Sequence, residues 1–172
     1  MCCNLGSLNL SEFIINPYTK IAKFDFKSFE KAVHIAVQGL DNIIDENINR
    51  HALKIQADNS KNYRNIGLGV MGYGTALFKL GIKYGSDEAL FFTNEIFKTM
   101  LTQALIASNK LAQEKGAFEK CKPEVVVESN IIKNLYNSSN DKKCIEALID
   151  NIRTYGLRNC SLLSVAPNGS II

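Results

Sequence analysis

Residues 2–10 read Cys-Cys-Asn-Leu-Gly-Ser-Leu-Asn-Leu, and residues 157–172 read Leu-Arg-Asn-Cys-Ser-Leu-Leu-Ser-Val-Ala-Pro-Asn-Gly-Ser-Ile-Ile. The first stretch has the alternating apolar character of a short β-strand from Leu5 to Leu10. The second predicts a strand over 159–165, which ends in a polar turn at residues 167–170. The predicted β segments therefore lie at the two ends of the chain, and these ends also carry its candidate chemistry.

The sequence between the two ends predicts helices. Apolar side chains at spacings of three and four predict a helix over 28–45. Ser86 is a favourable N-cap and Gly116 a favourable C-terminal stop, so one long helix is predicted between them. Shorter helices are predicted over 128–136 and 144–156. The resulting order of strand, several helices and strand is that of one helical crossover within a single sheet or barrel.

The segment Gly67-Leu68-Gly69-Val70-Met71-Gly72 matches the G-x-G-x-x-G pattern of dinucleotide-binding proteins. That pattern needs a buried strand just before it, so that a tight turn brings the pyrophosphate to a helix N-terminus. The preceding residues 46–65 are polar and indicate a connection with one helical turn. We therefore reject a dinucleotide site. We interpret the glycines as allowing a helix, within the apolar pattern over 66–80, to pack closely on neighbouring backbone.

The composition indicates that residues 1–172 form one domain of a cytoplasmic protein. The chain has 172 residues, 46% of them hydrophobic, which is enough to bury a core. A net charge of +3 without a basic run gives little support to a nucleic-acid or membrane role. We expect neither a secretory signal nor a spanning segment. The five cysteines contain no Cys-x-x-Cys pair, so we expect free thiols and no zinc site.

Two polar features at the ends are candidates for a functional site. Residues 167–171, Pro-Asn-Gly-Ser-Ile, follow the second predicted strand, and successive N–H groups in such a turn form a concave anion site. Glycine allows close approach of the backbone there, and Ser170 adds a hydroxyl. Cys2 and Cys3 are adjacent, so on a strand their side chains point to opposite faces and only one faces a given site. Taken alone, such features are more often an ordinary turn and an incidental cysteine pair.

Five segments, in the same order, resemble the large (catalytic) subunit of ribonucleotide reductase. They are Cys3–Leu10 (CNLGSLNL), Arg64–Gly72 (RNIGLGVMG), Tyr84–Glu88 (YGSDE), Ala107–Gly116 (ASNKLAQEKG), and Gly156–Asn159 (GLRN) together with Ala166–Ile171 (APNGSI). The resemblance extends from Cys3 to Ile171, which is almost the whole chain. The number of ordered segments makes it specific.

The resemblance implies a fold and a reaction. The fold is expected to be mainly α with short β segments at both ends, as a fragment of the family's ten-stranded α/β barrel. The family reduces ribonucleoside di- or triphosphates to 2′-deoxyribonucleotides for DNA replication. A thiyl radical abstracts the 3′-hydrogen, and two cysteines supply electrons while they become a disulfide. Cys3 resembles one of this redox pair, and the loop that binds substrate phosphate is matched by Pro167, Asn168, Gly169, Ser170 and Ile171.

The resemblance also implies partners and cofactors. The substrate is expected to be a ribonucleotide, the reductant a thioredoxin- or glutaredoxin-type protein, and the full subunit a homodimer without membrane contact. The fragment itself is expected to hold no cofactor. Its parent is expected to use either a radical-generating small subunit with a di-metal site or adenosylcobalamin. The sequence does not decide between these radical sources, nor between diphosphate and triphosphate substrates.

The chain also departs from the family pattern. Asn168 stands where the family usually has Thr, so a side-chain contact to phosphate stays undecided there, although the backbone role remains. The Asn-x-Cys-x-Glu-type motif with the radical cysteine is absent, as are the second redox cysteine, the specificity site and the shuttle cysteines. Cys2 does not replace the second redox cysteine, because it points away from Cys3. We therefore expect the chain alone to be inactive. The alternative is a helical interaction domain without catalysis.

Overall fold

The structure, a computed structural model, describes residues 3–139 and 141–166. Its strands are β1 (Asn4–Asn9), β2 (Ile14–Ile15), β3 (Lys23–Phe24) and β4 (Ile66–Met71). Its helices are α1 (Phe26–Asn47), α2 (Lys54–Tyr63), α3 (Tyr73–Leu80), α4 (Asp87–Lys115), α5 (Pro123–Val127), α6 (Asn130–Ser138) and α7 (Lys142–Tyr155). The described chain is therefore mainly helical with short strands, as the sequence predicts.

The sheet that brings the two ends of the chain together is built around β4. On one side, β1 pairs with β4 in parallel, from Asn4 opposite Ile66 to Asn9 opposite Met71. Residues 157–166, which we call the closing segment, lie on the other side of β4. There the Ile66 amide donates to the Ser161 carbonyl at 3.0 Å and the Leu68 amide to the Leu162 carbonyl at 2.8 Å. The prediction of a strand near Leu5 is thus confirmed, and both ends of the chain flank one central strand.

Assigning the glycine-rich segment to a helix was wrong. Residues Ile66–Met71 form a strand that is buried along most of its length, preceded by α2 where the sequence predicted only a helical turn. Two glycines lower the intrinsic strand preference of this run, which is why the pattern was not read as a strand. The close approach to neighbouring backbone was predicted correctly. A Cβ on Gly69 would lie 2.4 Å from the Ser164 carbonyl oxygen.

The predicted barrel is not closed by the described residues. In the described residues, the sheet around β4 contains β1, β4 and the closing segment. The closing segment forms one parallel bridge, between Leu163 and Leu68, rather than the full strand predicted over 159–165. Three neighbouring segments are too few to close a barrel. The barrel therefore remains a prediction from the resemblance.

Helices α1 and α4 pack against each other, and α1 covers one face of the sheet. The long helix agrees with its predicted ends, because the Ser86 hydroxyl accepts a hydrogen bond from the Ala89 amide and Gly116 caps the C-terminus. The core between these elements consists of buried apolar side chains: Phe29, Val33, Val37, Ile66, Leu68, Ile96, Met100 and Ala104. This helical layer leaves the opposite face of the sheet uncovered by α1.

The small hairpin of β2 and β3 was not predicted. Each strand has two residues, too few to show an alternating pattern. Its ring cluster anchors the start of α1, since the Phe24 ring lies 5.4 Å from those of Phe29 and Phe92.

No helix within the described ranges is long and apolar enough to cross a membrane.

Candidate active site

Cys3 lies immediately before β1, on the face of the sheet that points away from α1. Gly6 faces α1, because a Cβ there would contact the Leu40 side chain at 3.5 Å. Side chains alternate along a strand, so Leu5 and Ser7 point to the opposite, open face. Leu5 is 57% exposed there. Cys3 belongs to the same face and is exposed, with a free thiol.

Two glycines of β4 form the floor of this open face beside Cys3. A Cβ on Gly67 would lie 3.3 Å from Cys3 Sγ, 2.6 Å from Leu5 Cδ2 and 2.8 Å from Ser164 Cβ. We call Gly67 and Gly69 the glycine floor. Because these residues have no side chains, Cys3 from β1 and Ser164 from the closing segment reach over the same central strand. The structure therefore makes neighbours of residues 161 positions apart in sequence.

The predicted phosphate loop falls outside the described residues. Pro167, Asn168, Gly169, Ser170 and Ile171 follow directly on Ala166, the last residue described. The closing segment that leads to them is fixed beside β4, since the Ser164 amide donates to the Leu68 carbonyl at 3.1 Å. The distance between the loop and Cys3 thus stays a prediction. The part of the chain just before the loop lies next to Cys3.

The surroundings of Cys3 keep its thiol neutral. Cys3 is exposed as a residue, but neighbouring groups cover part of it, and this partial loss of solvent raises the pKa of its thiol. No charged side chain occurs in β1 or β4, whose sequences are NLGSLN and IGLGVM. The contact of Cys3 Sγ with the Asn4 carbonyl is long, at 3.9 Å. A thiol with a raised pKa is held mainly in its protonated form, which suits transfer of a hydrogen better than nucleophilic attack as a thiolate. Among residues 3–139 and 141–166, no three His, Cys, Asp or Glu side chains are grouped to hold a metal.

A buried polar cluster, which sequence analysis missed, holds the closing segment in place. We call it the Asp41 cluster, and it comprises Asp41, Asp45, Arg64, Arg158 and Asn159. Arg64 donates to Asp41 Oδ1 from Nε at 3.0 Å and from Nη2 at 2.7 Å. Asn159 Nδ2 donates to Asp41 Oδ1 at 2.9 Å and to the Arg64 carbonyl at 3.1 Å. Asp41 of α1 thereby links the start of β4 to the closing segment.

Arg158 and Asp45 form the outer part of the Asp41 cluster. Arg158 Nη1 donates to the carbonyls of Lys115 and Gly116 at the end of α4, at 3.1 and 3.0 Å. Burial acts to raise the pKa of Asp45, but the hydrogen bond and charge of Arg64, helped by Lys115 and Arg158, outweigh it and lower that pKa. The sequence did carry one signal for this cluster. Asp41 falls on the apolar face of α1, four residues after Val37, where an acid requires a buried partner.

Gly69→Ala is expected to destabilise the chain by about 2 kcal/mol, because the new methyl group would meet the Ser164 carbonyl oxygen at 2.4 Å. That atom belongs to the backbone, so relief requires the closing segment to move. Urea unfolding measures the loss. Gly74→Ala in α3 is the matched control: nothing lies within 4 Å of its Cβ position, and alanine suits a helix. Equal stability of the two variants would contradict the packing of the closing segment on the glycine floor.

Comparison with known proteins identifies relatives of the whole chain. Residues 1–172 match the family described as ribonucleotide reductase, barrel domain. The chain is 32% identical over 182 residues to the ribonucleoside-diphosphate reductase subunit alpha of Chlamydia pneumoniae. It is 34% identical over 169 residues to the ribonucleoside-diphosphate reductase large subunit of Monkeypox virus and to the large chain of Neurospora crassa. These alignments cover 98% of this chain, which spans 17%, 21% and 18% of the length of the three relatives.

Proposed function

Because the chain belongs to the family of ribonucleotide reductase large subunits, with residues 1–172 matching their barrel domain, we propose that it forms one wall of an active site that reduces ribonucleotides to 2′-deoxyribonucleotides. The observation that carries the proposal is the placement of Cys3 beside Ser164 over the glycine floor. The closing segment continues from Ser164 into the predicted phosphate loop. A nucleotide anchored by phosphate on that loop would have its ribose close to the Cys3 sulfur.

In this proposal Cys3 supplies one of two electrons to the ribose. The 2′-oxygen leaves as water, Cys3 and a second cysteine each lose a hydrogen, and a disulfide forms between their sulfurs. The family resemblance implies that the second cysteine lies outside residues 1–172. A protein or small-molecule dithiol then reduces the disulfide by exchange. The partial burial of Cys3 raises the pKa of its thiol and so favours the protonated form, which is the form that delivers hydrogen.

The substrate and partners follow from the relatives and remain part of the proposal. Several relatives are named ribonucleoside-diphosphate reductases, which favours a diphosphate over a triphosphate as substrate. A thioredoxin- or glutaredoxin-type reductant and a homodimer of the full subunit complete the assembly. The radical source is either a di-metal small subunit or adenosylcobalamin.

The experiment is a reduction assay on the full-length subunit that contains this chain. Cytidine diphosphate and triphosphate are incubated with dithiothreitol, once with the small subunit and once with adenosylcobalamin. We expect 2′-deoxycytidine diphosphate from one of these mixtures, measured by chromatography. Absence of deoxynucleotide in every mixture, with a known reductase active in parallel, would refute the proposal.

The 172-residue chain alone is expected to show no reduction under the same conditions, because positioning a nucleotide beside Cys3 does not replace the missing radical cysteine. A helical interaction domain without catalysis is the alternative description of the isolated chain. Turnover by the isolated chain would show that the radical chemistry has another source within residues 1–172.

A further inference from the structure

A small cavity lies beneath the start of β1 and β4, on the side of the sheet that faces α1. Its volume is about 20 Å³, and it is lined by Asn4, Ile44, Asn47, His51, Ser60 and Asn65. These residues come from β1, the end of α1, the connection that follows it, α2 and the residue just before β4. Most of the lining is polar, although the cavity adjoins the apolar core. A polar lining at such a place indicates a hydrophilic occupant rather than a packing defect.

Asn65 lines this cavity, and its amide nitrogen requires a partner. Asn65 is 5% exposed, and its Nδ2 atom is fully buried without a hydrogen bond to any described residue. A buried N–H group without a partner costs on the order of 1–3 kcal/mol, and native proteins rarely leave one. The neighbouring residues do not relieve this cost directly. An acceptor small enough for the cavity is therefore needed.

Two further side chains are suited to the same occupant. Asn4 Nδ2 donates to the Leu40 carbonyl at 3.3 Å, which leaves the Asn4 amide oxygen as an acceptor. Ser60 Oγ lies 3.0 Å from His51 Nε2. If His51 donates, the Ser60 hydroxyl has its hydrogen for another partner, and if Ser60 donates, its oxygen has a lone pair. In either histidine tautomer, Ser60 therefore offers one more hydrogen bond.

We propose that this cavity is the binding site of one ordered water molecule, which accepts from Asn65 Nδ2 and bonds to Ser60 Oγ and the Asn4 amide oxygen. A water needs on the order of 10–15 Å³ and about three polar partners, and the cavity meets both conditions. The unpartnered N–H group of Asn65 requires a hydrogen-bond acceptor, which disfavours a metal cation as the occupant. The cavity is too small for a polyatomic anion such as phosphate. Water is the ligand that both donates and accepts at this size.

The proposed water would tie the start of β1 to the start of β4, immediately after Cys3. The backbone link between the strands is weak there, because the Asn4 amide donates to the Asn65 carbonyl at 3.4 Å. A water shared by Asn4 and Asn65 adds a second connection between the same two residues. The water site therefore belongs to the support of the Cys3 position, although its presence does not depend on the proposed enzymatic function.

The first test is a crystal structure of the full chain at high resolution. We expect a water peak within hydrogen-bond distance of both Asn65 Nδ2 and Ser60 Oγ. A cavity without electron density, or an Asn65 amide bonded to a protein group, would overturn the proposal. The second test replaces Asn65 by leucine, which has a similar size. The urea concentration at the midpoint of unfolding is then compared with that of the unsubstituted chain.

The direction in which the urea midpoint changes in the Asn65→Leu variant distinguishes a cavity that holds water from a dry one. With the water present, leucine displaces it and leaves Ser60 and Asn4 short of a partner, so the urea midpoint falls. With a dry cavity, leucine removes an unpaired amide and the midpoint stays or rises. Asn65→Ala is the second variant: it leaves room for the water, so it controls for a poor fit of leucine. A midpoint that does not fall in Asn65→Leu would overturn the water site.

Discussion

Cys3→Ser in the full-length subunit is expected to reduce multiple-turnover synthesis of deoxyribonucleotide to the background rate, while ribonucleotide binding stays nearly unchanged. Serine has the size of cysteine and keeps a polar atom over the glycine floor, so the packing against Gly67 and Leu5 is preserved. A hydroxyl does not form a disulfide, so it does not supply the electrons that the reaction consumes. The loss therefore appears in kcat rather than in substrate affinity.

Two measurements distinguish a redox role of Cys3 from a structural one. Steady-state reduction is followed by chromatography, and substrate affinity by titration with the nucleotide. Cys144→Ser is the matched control, because Cys144 is an exposed free thiol on α7 and the chemical change is the same. The control is expected to keep full activity. Undiminished turnover of Cys3→Ser would remove Cys3 from the redox pair, whereas weakened nucleotide binding with unchanged kcat would make it a binding residue.

The parts of the fold that follow from local physics were predicted from the sequence. The long helix α4 begins after Ser86 and ends before Gly116, since a cap hydroxyl and a glycine act through neighbouring backbone groups. Strand β4 was missed because its stability does not come from the propensity of Gly67 and Gly69. It comes from strand partners on both sides, which lie about sixty and a hundred residues away in the chain.

The candidate site, like the fold, was predicted from the sequence only in part. Cys3 was predicted as a site residue through the resemblance, and nothing in its own segment indicated which side chains would lie beside it. Ser164 becomes its neighbour only because the glycine floor between them carries no side chains. The Asp41 cluster was missed because its members come from three separate segments. The resemblance included Arg64, Arg158 and Asn159, but it did not indicate that they meet. Asp41 alone gave a signal, as an acid on an apolar helix face, and the signal did not name its partners.

Asp41→Ala is expected to destabilise the chain by about 3–5 kcal/mol, the cost of breaking a buried ion pair by removing one partner. The Asp41 side chain is 0% exposed and that of Arg64 is 5% exposed. After the substitution Arg64 retains Asp45, at 2.7 Å, but loses two hydrogen bonds to a buried carboxylate. Asn159 and Arg158 lose a partner as well. A domain is typically stable by roughly 5–15 kcal/mol, so the variant is expected to be marginal.

Asp150→Ala is the matched control for this loss. Asp150 also pairs with an arginine, at 3.3 Å from Arg153, but its side chain is 76% exposed. Exposed pairs contribute little, so we expect a change within about 0.5 kcal/mol. Urea unfolding followed by circular dichroism compares the two variants. Similar stability of Asp41→Ala and Asp150→Ala would mean that the Asp41 cluster does not hold the fold together.

Hydrogen exchange tests where the Asp41 cluster acts. The amides of Ile66, Leu68 and Ser164 make the hydrogen bonds between β4 and the closing segment, and Asp41 reaches that segment through Asn159. Asp41→Asn keeps the size of the side chain but lacks the charge, and it presents N–H groups to Arg64. In this variant we expect exchange of the three amides to accelerate by a larger factor than exchange of amides in the middle of α4, because α4 keeps its packing on α1. Uniformly faster exchange over the whole chain would instead assign Asp41 to global stability, without a particular role in holding the closing segment beside Cys3.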